Sequence, residues 1–331
     1  MPVPKLKSKI RYWKRLAQMF LSYQGKSARL KYMPVRLWVE LTSDCNYRCV
    51  MCPNKDLPGE ERGHMDMDLF RKIIDEAAGF VFEINLAHRG ESLLHPEFIE
   101  AVTYAKSKGI YTRLHTNGSL LTEDLARRTI ESGLDRLSFS FDGYDKETYE
   151  KIRRGGKFEE TAGNIIRCLK IKKELGSKTP ETAVEVINFA ANTSQDKLEA
   201  HRAFQDRFRD LPLDHYVLKE LHNWAGEFHT GEKGAKYSIC PFPWNALIIC
   251  WDGAVIPCTQ DFFNTFVAGN VREHSIREIW NGDRMKTIRK KLIAQDLDNL
   301  PACSKCDRPW RQRILGVPKE YLWKFLTKRM P

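Results

Sequence analysis

Two hydrophobic patterns alternate along the chain from residue 37 onward. Short runs rich in β-branched and apolar residues predict strands at 37–42, 81–87, 110–115, 136–141, 182–190 and 213–219. Between them, apolar residues recur every three or four positions and predict helices near 66–79, 94–107, 122–132, 158–175 and 195–209. The alternation predicts an α/β fold built on a parallel sheet with right-handed crossovers.

The first 36 residues have a different pattern. Apolar residues recur there at helical spacing, at Leu6, Ile10, Trp13 and Phe20. The same segment contains ten Lys and Arg residues and no Asp or Glu, so it predicts a basic amphipathic arm over 1–36. Three roles are open for this arm: it docks its apolar stripe on the body, lies on an anionic membrane surface, or binds an acidic partner. Residues 316–331 form a second amphipathic segment, a C-terminal tail.

The composition narrows the class of protein. The 331 residues are 42% hydrophobic and 29% charged, which is typical of a globular protein. No apolar run approaches the roughly 18 residues that indicate a membrane span, and no segment resembles a signal peptide. We therefore expect a cytoplasmic protein, and the arm leaves peripheral membrane association open. The chain has nine cysteines, and the close spacing of several of them, in a chain without an export signal, argues for metal binding rather than for disulfides.

Three of the cysteines follow the first predicted strand. Cys45, Cys49 and Cys52 lie close together in sequence, and parallel sheets carry functional residues at the carboxyl ends of their strands. Three thiolates hold three irons of a cubane 4Fe–4S cluster and leave the fourth iron open to a ligand. A zinc knuckle is the alternative interpretation.

Further motifs follow the next three predicted strands and fall at the same edge. They are Gly90 with Glu91, Asn117 with Gly118, and Ser140 with the later Arg153. Together with the cysteine run they resemble the radical S-adenosylmethionine (SAM) superfamily. The resemblance implies a partial (β/α)6 TIM-like barrel over 37–225. It also implies that the open iron chelates SAM, and that reductive cleavage of SAM gives a 5′-deoxyadenosyl radical that takes a hydrogen atom from substrate.

The same resemblance implies individual SAM contacts. Gly90 and Glu91 match the segment that holds the amino group of SAM, although Arg89 and Ser92 stand where the family pattern has Gly and Pro. The other implied contacts are Met51 beside the adenine through its backbone, Asn117 in the pocket wall, Ser140 at the ribose or carboxylate, and Arg153 at the carboxylate. A guanidinium fork suits a carboxylate well.

A second cysteine block lies near the C-terminus. Two apolar runs flank Asp252 and Gly253 and predict a hairpin. Around and beyond the hairpin lie Cys240, Cys258, Cys303 and Cys306. Four thiolates close every iron of a cubane, which suits electron transfer. The block, over 226–315, resembles the SPASM domain in its shortened, single-cluster Twitch form, and a zinc ribbon is the alternative interpretation.

Two clusters in one chain point to a net oxidation. A substrate radical formed at an alcohol or amine carbon is a strong reductant, and a nearby closed cluster can accept its electron. The arrangement resembles 2-deoxy-scyllo-inosamine dehydrogenase-like enzymes, which implies an oxidoreductase acting on a polyol, aminocyclitol or sugar-derived metabolite. The expected electron donor is a flavodoxin or a ferredoxin-type protein, and no nucleic acid partner is expected. An epimerase, a ribosomal-peptide maturase and a non-catalytic metal-binding scaffold are the alternatives.

Residues for proton and hydrogen transfer are indicated only by their positions. His88 and His115 lie near strand ends, and a His side chain with a pKa near 6.5 can accept a proton from a substrate hydroxyl. Cys250 belongs to neither cysteine set and is a candidate hydrogen-atom donor. Candidate substrate contacts are Glu83, Asn85, Glu185, Asn188 and His222.

Overall fold

A computed structural model of the chain describes residues 6–187, 195–219, 221, 223–228, 236–311, 313–314 and 317–318. Its strands are β1 Arg36–Val39, β2 Glu83–Asn85, β3 Tyr111–Thr116, β4 Arg136–Ser140, β5 Glu181–Ile187, β6 His215–Lys219, β7 Ala246–Ile249, β8 Ala254–Ile256, β9 Gly269–Asn270, β10 Arg313–Ile314 and β11 Val317–Pro318. Its α-helices are α1 Leu6–Gln24, α2 Met67–Ala77, α3 Phe98–Ser107, α4 Glu123–Glu131, α5 Lys146–Ile152, α6 Phe158–Glu174, α7 Gln195–Asp206, α8 Phe242–Asn245, α9 Ile276–Trp280, α10 Asp283–Ala294 and α11 Pro301–Lys305.

The main sheet has nine strands in the order β6-β5-β4-β3-β2-β1-β7-β8-β9. Strands β1 to β6 pair in parallel, and each of the six overlaps a strand predicted from the sequence. The predicted α/β fold with a parallel sheet is therefore confirmed. Helix α5 was not predicted; Asp145 caps its first turn by accepting a hydrogen bond from the backbone N–H of Thr148.

The cysteine-rich block continues the same sheet. Strand β7 pairs in parallel with β1, and the predicted hairpin is present as the antiparallel pair of β7 and β8. Its turn needs Gly253, whose φ of +93° is costly for a residue with a side chain. The two cysteine-bearing regions are thus joined through backbone hydrogen bonds.

The two faces of the parallel strands differ in character. One face packs under the helices and is apolar, with Leu37, Ile84, Leu114, Leu137 and Val184 fully buried. The other face carries Glu83, Asn85, Arg113, His115 and Glu185 at alternate positions. Strands covered by helices on both sides are usually apolar throughout, so the polar face indicates the wall of a ligand cavity.

Helix α1 docks on the body, but not through the predicted apolar stripe. Tyr12 makes an edge-on contact with the ring of Phe82, and Tyr23 donates a 2.5 Å hydrogen bond to the carbonyl of Ile239. Ile10, Trp13 and Phe20 are exposed, so docking of the apolar stripe on the body, one of the three open roles, is wrong for these residues. None of the helices within the described ranges is long and apolar enough to cross a membrane. Of the tail 316–331, only 317–318 belong to the described residues.

Candidate active site

The first cysteine set lies in the loop between β1 and α2. Cys49 is buried and Cys45 and Cys52 are half-buried, and all three pack around Tyr47 and Met51. Burial raises the pKa of Cys45 to about 12 and that of Cys52 to about 11. These thiols are therefore neutral near pH 7 unless a bound metal draws off their protons, as coordinating metals do.

A glycine allows the loop after β2 to touch the cysteine loop. A Cβ atom on Gly90 would lie 2.4 Å from the backbone oxygens of both Thr42 and Asp44. The next residue, Glu91, donates a 2.7 Å backbone hydrogen bond to the same Asp44 oxygen. Any larger residue at position 90 would therefore push these two loops apart.

The carboxylate of Glu91 is buried and holds three loops together. It accepts hydrogen bonds from the hydroxyl of Thr116 at 2.9 Å and from the backbone N–H of Asn117 at 2.7 Å. The Asn117 side chain in turn donates to Asn46, inside the cysteine loop, at 2.9 Å. Burial raises the pKa of Glu91, and the hydrogen bonds from Asn117 and Thr116 and the charge of Arg153 oppose this increase.

Arg153 brings a positive charge to the same place. One of its Nη atoms lies 2.6 Å from Asp142, whose other oxygen accepts the backbone N–H of Ile187 at 2.6 Å. The Nε atom of Arg153 is buried without a hydrogen-bond partner. The charge of the guanidinium acts on both Cys49 and Glu91. A carboxylate and a guanidinium beside three thiols fit an amino-acid ligand, because each can pair with one of its charged ends.

The remaining predicted SAM contacts are placed as follows. Ser140 is half-buried at the carboxyl end of β4. The carbonyl of Met51 accepts a 3.1 Å hydrogen bond from the indole of Trp224. Asn117 is buried. Gly90, Glu91, Asn117 and Ser140 follow or end the strands β2 to β4. Arg153 lies directly after α5, and the individual roles of all these residues stay predictions.

Arg89, which departs from the family pattern, is buried in an ion pair. Its guanidinium forms a two-pronged contact with Glu40, with both N–O distances at 2.9 Å. Glu40 also accepts the backbone N–H of Trp251, which follows β7, at 3.3 Å. Arg89 therefore helps to join the loops at the first cysteine set to the C-terminal block, and no sequence pattern indicated this partnership.

The second cysteine set surrounds one cavity. Cys240, Cys258, Cys303 and Cys306 all line it, among apolar residues such as Pro243, Phe266 and Leu292. Burial raises the pKa of Cys306 to about 12 and also raises that of Cys258 and Cys303. Within the described ranges, no group of three or more His, Cys, Asp or Glu side chains is disposed around a single ion. Four thiols spread around a cavity suit a multi-atom cluster.

A charged triad lies on the polar face of the sheet. His115 Nδ1 is 3.1 Å from Glu185, and Lys219 pairs with the same carboxylate oxygen. Burial lowers the pKa of His115, outweighing the effect of Glu185. Burial would raise the pKa of Glu185, but His115 and Lys219 lower it well below its usual range. Sequence reasoning named His115 and Glu185 and missed Lys219, although Lys219 ends the sixth predicted strand.

The other two catalytic candidates lie away from this triad. His88 Nε2 is buried without a hydrogen-bond partner, and burial lowers the pKa of His88 to about 4. Cys250 is fully buried, its sulfur lies 3.6 Å from the side-chain oxygen of Asn264, and burial raises its pKa well above the usual range. Asn188 and His222 lie outside the described residues.

Family models match both regions. The Radical SAM superfamily matches residues 39–209, and the SPASM iron–sulfur cluster-binding domain matches residues 240–307. The chain is 28% identical to the tungsten-containing aldehyde ferredoxin oxidoreductase cofactor-modifying protein of Pyrococcus furiosus, over 88% of this chain and 99% of that protein. It is 35% identical to the AdoMet-dependent heme synthase of Methanosarcina barkeri, over 81% of this chain and 87% of that protein.

A third relative is the SAM-dependent 2-deoxy-scyllo-inosamine dehydrogenase of Niallia circulans, with 23% identity over 81% of this chain and 91% of that protein. The fold is similar to the crystal structure of BtrN in complex with AdoMet and 2-DOIA, with a TM-score of 0.58 and 21% identity over 84% of this chain and 94% of that one. The resemblance and the cofactors predicted from the sequence, SAM and iron–sulfur clusters, are confirmed at the level of the two domains.

Proposed function

We propose, because the chain belongs to the radical SAM superfamily and carries a SPASM domain, that it oxidises an alcohol carbon of a polyol, aminocyclitol or sugar-derived metabolite. The observation that carries the proposal is the four-cysteine cavity in the block that shares a sheet with the barrel strands. A closed cluster held there would be an electron acceptor at a fixed place relative to the polar face of the sheet.

The two cysteine sets have different roles in this proposal. Cys45, Cys49 and Cys52 would hold the cluster with the open iron, and Cys240, Cys258, Cys303 and Cys306 would hold the auxiliary cluster. Bound SAM and the first cluster would supply a radical that removes one hydrogen atom, and the auxiliary cluster would supply an acceptor for one electron. A base of the protein takes the remaining proton, so the alcohol loses two electrons and two protons in all. The reducing electron for SAM cleavage comes from a flavodoxin or ferredoxin-type donor.

His115 is the base in this proposal. Its depressed pKa keeps the ring neutral near pH 7. The ionised Glu185 accepts a hydrogen bond from Nδ1–H at 3.1 Å, which leaves the lone pair on Nε2 free to accept a proton. Once His115 has accepted a proton, the carboxylate of Glu185 pairs with the imidazolium as well as with the ammonium group of Lys219.

The polar face of the sheet supports a hydroxyl-rich substrate. Buried acceptor atoms lack hydrogen-bond partners at Asn85 Oδ1, Ser138 Oγ and Glu185 Oε1. Buried donor atoms lack partners at Arg113 Nε and Arg136 Nε, on the strands between them. Leaving such groups unpaired is unfavourable by about 1–3 kcal/mol each. Hydroxyl groups both donate and accept, so a polyol or aminocyclitol complements this set.

Anaerobically reconstituted protein tests the proposal. Wild type should cleave SAM and, in a screen of polyols and aminocyclitols, form one ketone for each 5′-deoxyadenosine. The Cys303→Ala/Cys306→Ala variant should keep SAM cleavage and lose ketone formation. Cys168→Ala is the matched control, because Cys168 is buried in α6, outside both sets, and it should retain both activities.

Three outcomes would replace the proposal. Product with one hydrogen taken from solvent and no change in oxidation state would indicate an epimerase, with Cys250 as the candidate donor. Turnover of a ribosomal peptide, with no small alcohol oxidised, would indicate a maturase. Absence of SAM cleavage by protein that holds both clusters would favour the non-catalytic scaffold.

A further inference from the structure

Helix α1 has two faces with different surroundings. The docked face carries Tyr12, Arg15 and Tyr23, and Arg15 donates a 2.7 Å hydrogen bond to the carbonyl of Met33. Helical geometry puts residues spaced by three, four and seven on one side, so Ile10, Trp13 and Phe20 share the opposite side. The helix is therefore fixed on the body with a second face turned outward.

The outward face is apolar to an unusual degree. The exposed fractions are 62% for Ile10, 60% for Trp13, 45% for Phe20 and 68% for Leu21. These four are the majority of the seven strongly exposed large hydrophobic side chains among the described residues. Single exposed hydrophobic residues need no explanation, but a contiguous set on one helix face indicates an interaction surface.

Positive charge surrounds this apolar face. Arg11 and Lys14 are exposed on the helix, and Lys26 and Arg29 are exposed just beyond its end. The first 36 residues contain no Asp or Glu and hold ten of the net eleven positive charges. An apolar helix face with basic neighbours is complementary to the surface of an anionic bilayer. The acyl region accepts the apolar side chains, and the headgroups attract the Lys and Arg side chains.

We propose that the outward face of α1, defined by Ile10, Trp13, Phe20 and Leu21, docks on an anionic phospholipid surface. Because the opposite face is held by the body, the helix lies along the membrane plane and the whole protein is brought with it. A second copy of the chain would place two strongly basic segments against each other. Residues 319–331 also carry more Lys and Arg than Asp and Glu, so charge disfavours the tail as the occupant.

Vesicle sedimentation with the full-length reconstituted protein tests this inference. Wild type should bind vesicles of phosphatidylcholine mixed with phosphatidylglycerol more tightly than pure phosphatidylcholine vesicles, and added salt should weaken the binding. Trp13→Ser/Phe20→Ser should reduce binding by about tenfold or more, because two large apolar side chains no longer leave water. The control is Leu175→Ser/Leu218→Ser, which removes two exposed leucines elsewhere and should bind as wild type does.

A charge-reversed pair separates the electrostatic contribution. Lys14→Glu/Lys26→Glu should weaken binding to anionic vesicles, whereas Lys170→Glu/Lys290→Glu, at exposed positions of α6 and α10, should leave it nearly unchanged. Unaltered SAM cleavage verifies that every variant is folded. If Trp13→Ser/Phe20→Ser perturbs folding, Ile10→Ser/Leu21→Ser tests the same face.

Three results would overturn the inference. They are equal binding by wild type and Trp13→Ser/Phe20→Ser, equal binding to neutral and anionic vesicles, and wild-type dimers that Trp13→Ser/Phe20→Ser dissociates without any vesicle binding. If the true partner is a soluble acidic protein, wild type should not bind vesicles of either kind, which gives the first two of these results. None of these results bears on substrate oxidation, which is measured separately.

Discussion

The two cysteine regions differ in what surrounds their sulfurs. Around Cys45, Cys49 and Cys52 lie a buried carboxylate, Glu91, and a buried guanidinium, Arg153. The cavity at the second set is lined largely by apolar side chains. The Nε atom of Arg153 is buried without a hydrogen-bond partner, which is unfavourable unless a ligand accepts from it. The cavity at the second set is also lined by Asp261, but that carboxylate already accepts hydrogen bonds from Thr265 and Phe266. The comparison teaches that the first region is organised to hold a small molecule and the second to enclose a cluster.

The largest expected effect comes from removing each cysteine set in turn. Cys45→Ala/Cys49→Ala/Cys52→Ala should abolish SAM cleavage and lower the iron content from about eight to about four per chain, because only one cubane remains. Cys303→Ala/Cys306→Ala should lose the same amount of iron and keep cleavage. Iron and sulfide analysis with a 5′-deoxyadenosine assay measures both. Equal loss of SAM cleavage in the two variants would contradict the assignment of SAM binding to the first region alone.

The next largest effect is expected at the contact between the two regions, where Arg89 pairs with Glu40. Glu40→Gln leaves the buried Arg89 without its charged partner and should destabilise the fold by about 3–5 kcal/mol. Glu61 also faces Arg89, at 3.3 Å, but its side chain is 38% exposed, so Glu61→Gln should cost below about 1 kcal/mol. Urea unfolding of the two variants measures how much unfolding free energy each has lost. Similar losses would contradict this account of the contact between the two regions.

A pair of arginines, one in each region, tests the difference between the two regions through a smaller expected effect. Arg153→Gln should raise the KM for SAM by roughly 10–100-fold, since a hydrogen bond to a charged group contributes about 1.5–3 kcal/mol. Arg308 lies beside Cys258 and Cys306 in the second region, and Arg308→Gln should leave that KM unchanged. Arg154→Gln, at the exposed neighbouring position, controls for loss of charge near the first region. Steady-state SAM cleavage gives all three values.

A further expected effect is a pH dependence of stability at His88. Its folded pKa of about 4 is below the ordinary value of 6.5, so the folded state favours the neutral ring. The resulting stability is present above pH 6.5 and is lost as the pH falls towards 4. The unfolding free energy of wild type should therefore fall more steeply over that window than that of His88→Phe. Parallel curves in urea titrations would show that His88 does not titrate in this way.

The sequence predicted what depends on local pattern. Apolar runs and helical spacing located the six parallel strands and most of the helices between them, because these signals act over a few residues. Close spacing likewise singled out Cys45, Cys49 and Cys52. The partnership of Arg89 with Glu40 and the place of Lys219 beside Glu185 join residues distant in sequence. The docking face of α1 was also missed, since hydrophobic spacing alone does not tell which side of a helix meets the body.

The β1–β7 pairing has a mechanical consequence. Four residue pairs, from Arg36 with Ala246 to Val39 with Ile249, join the two halves in the interior of one sheet. Domains joined by a linker can swing about a hinge, whereas strands bonded side by side open only by local unfolding. The separation of the two cysteine-bearing regions is then set by the sheet itself and not by the angle of a hinge.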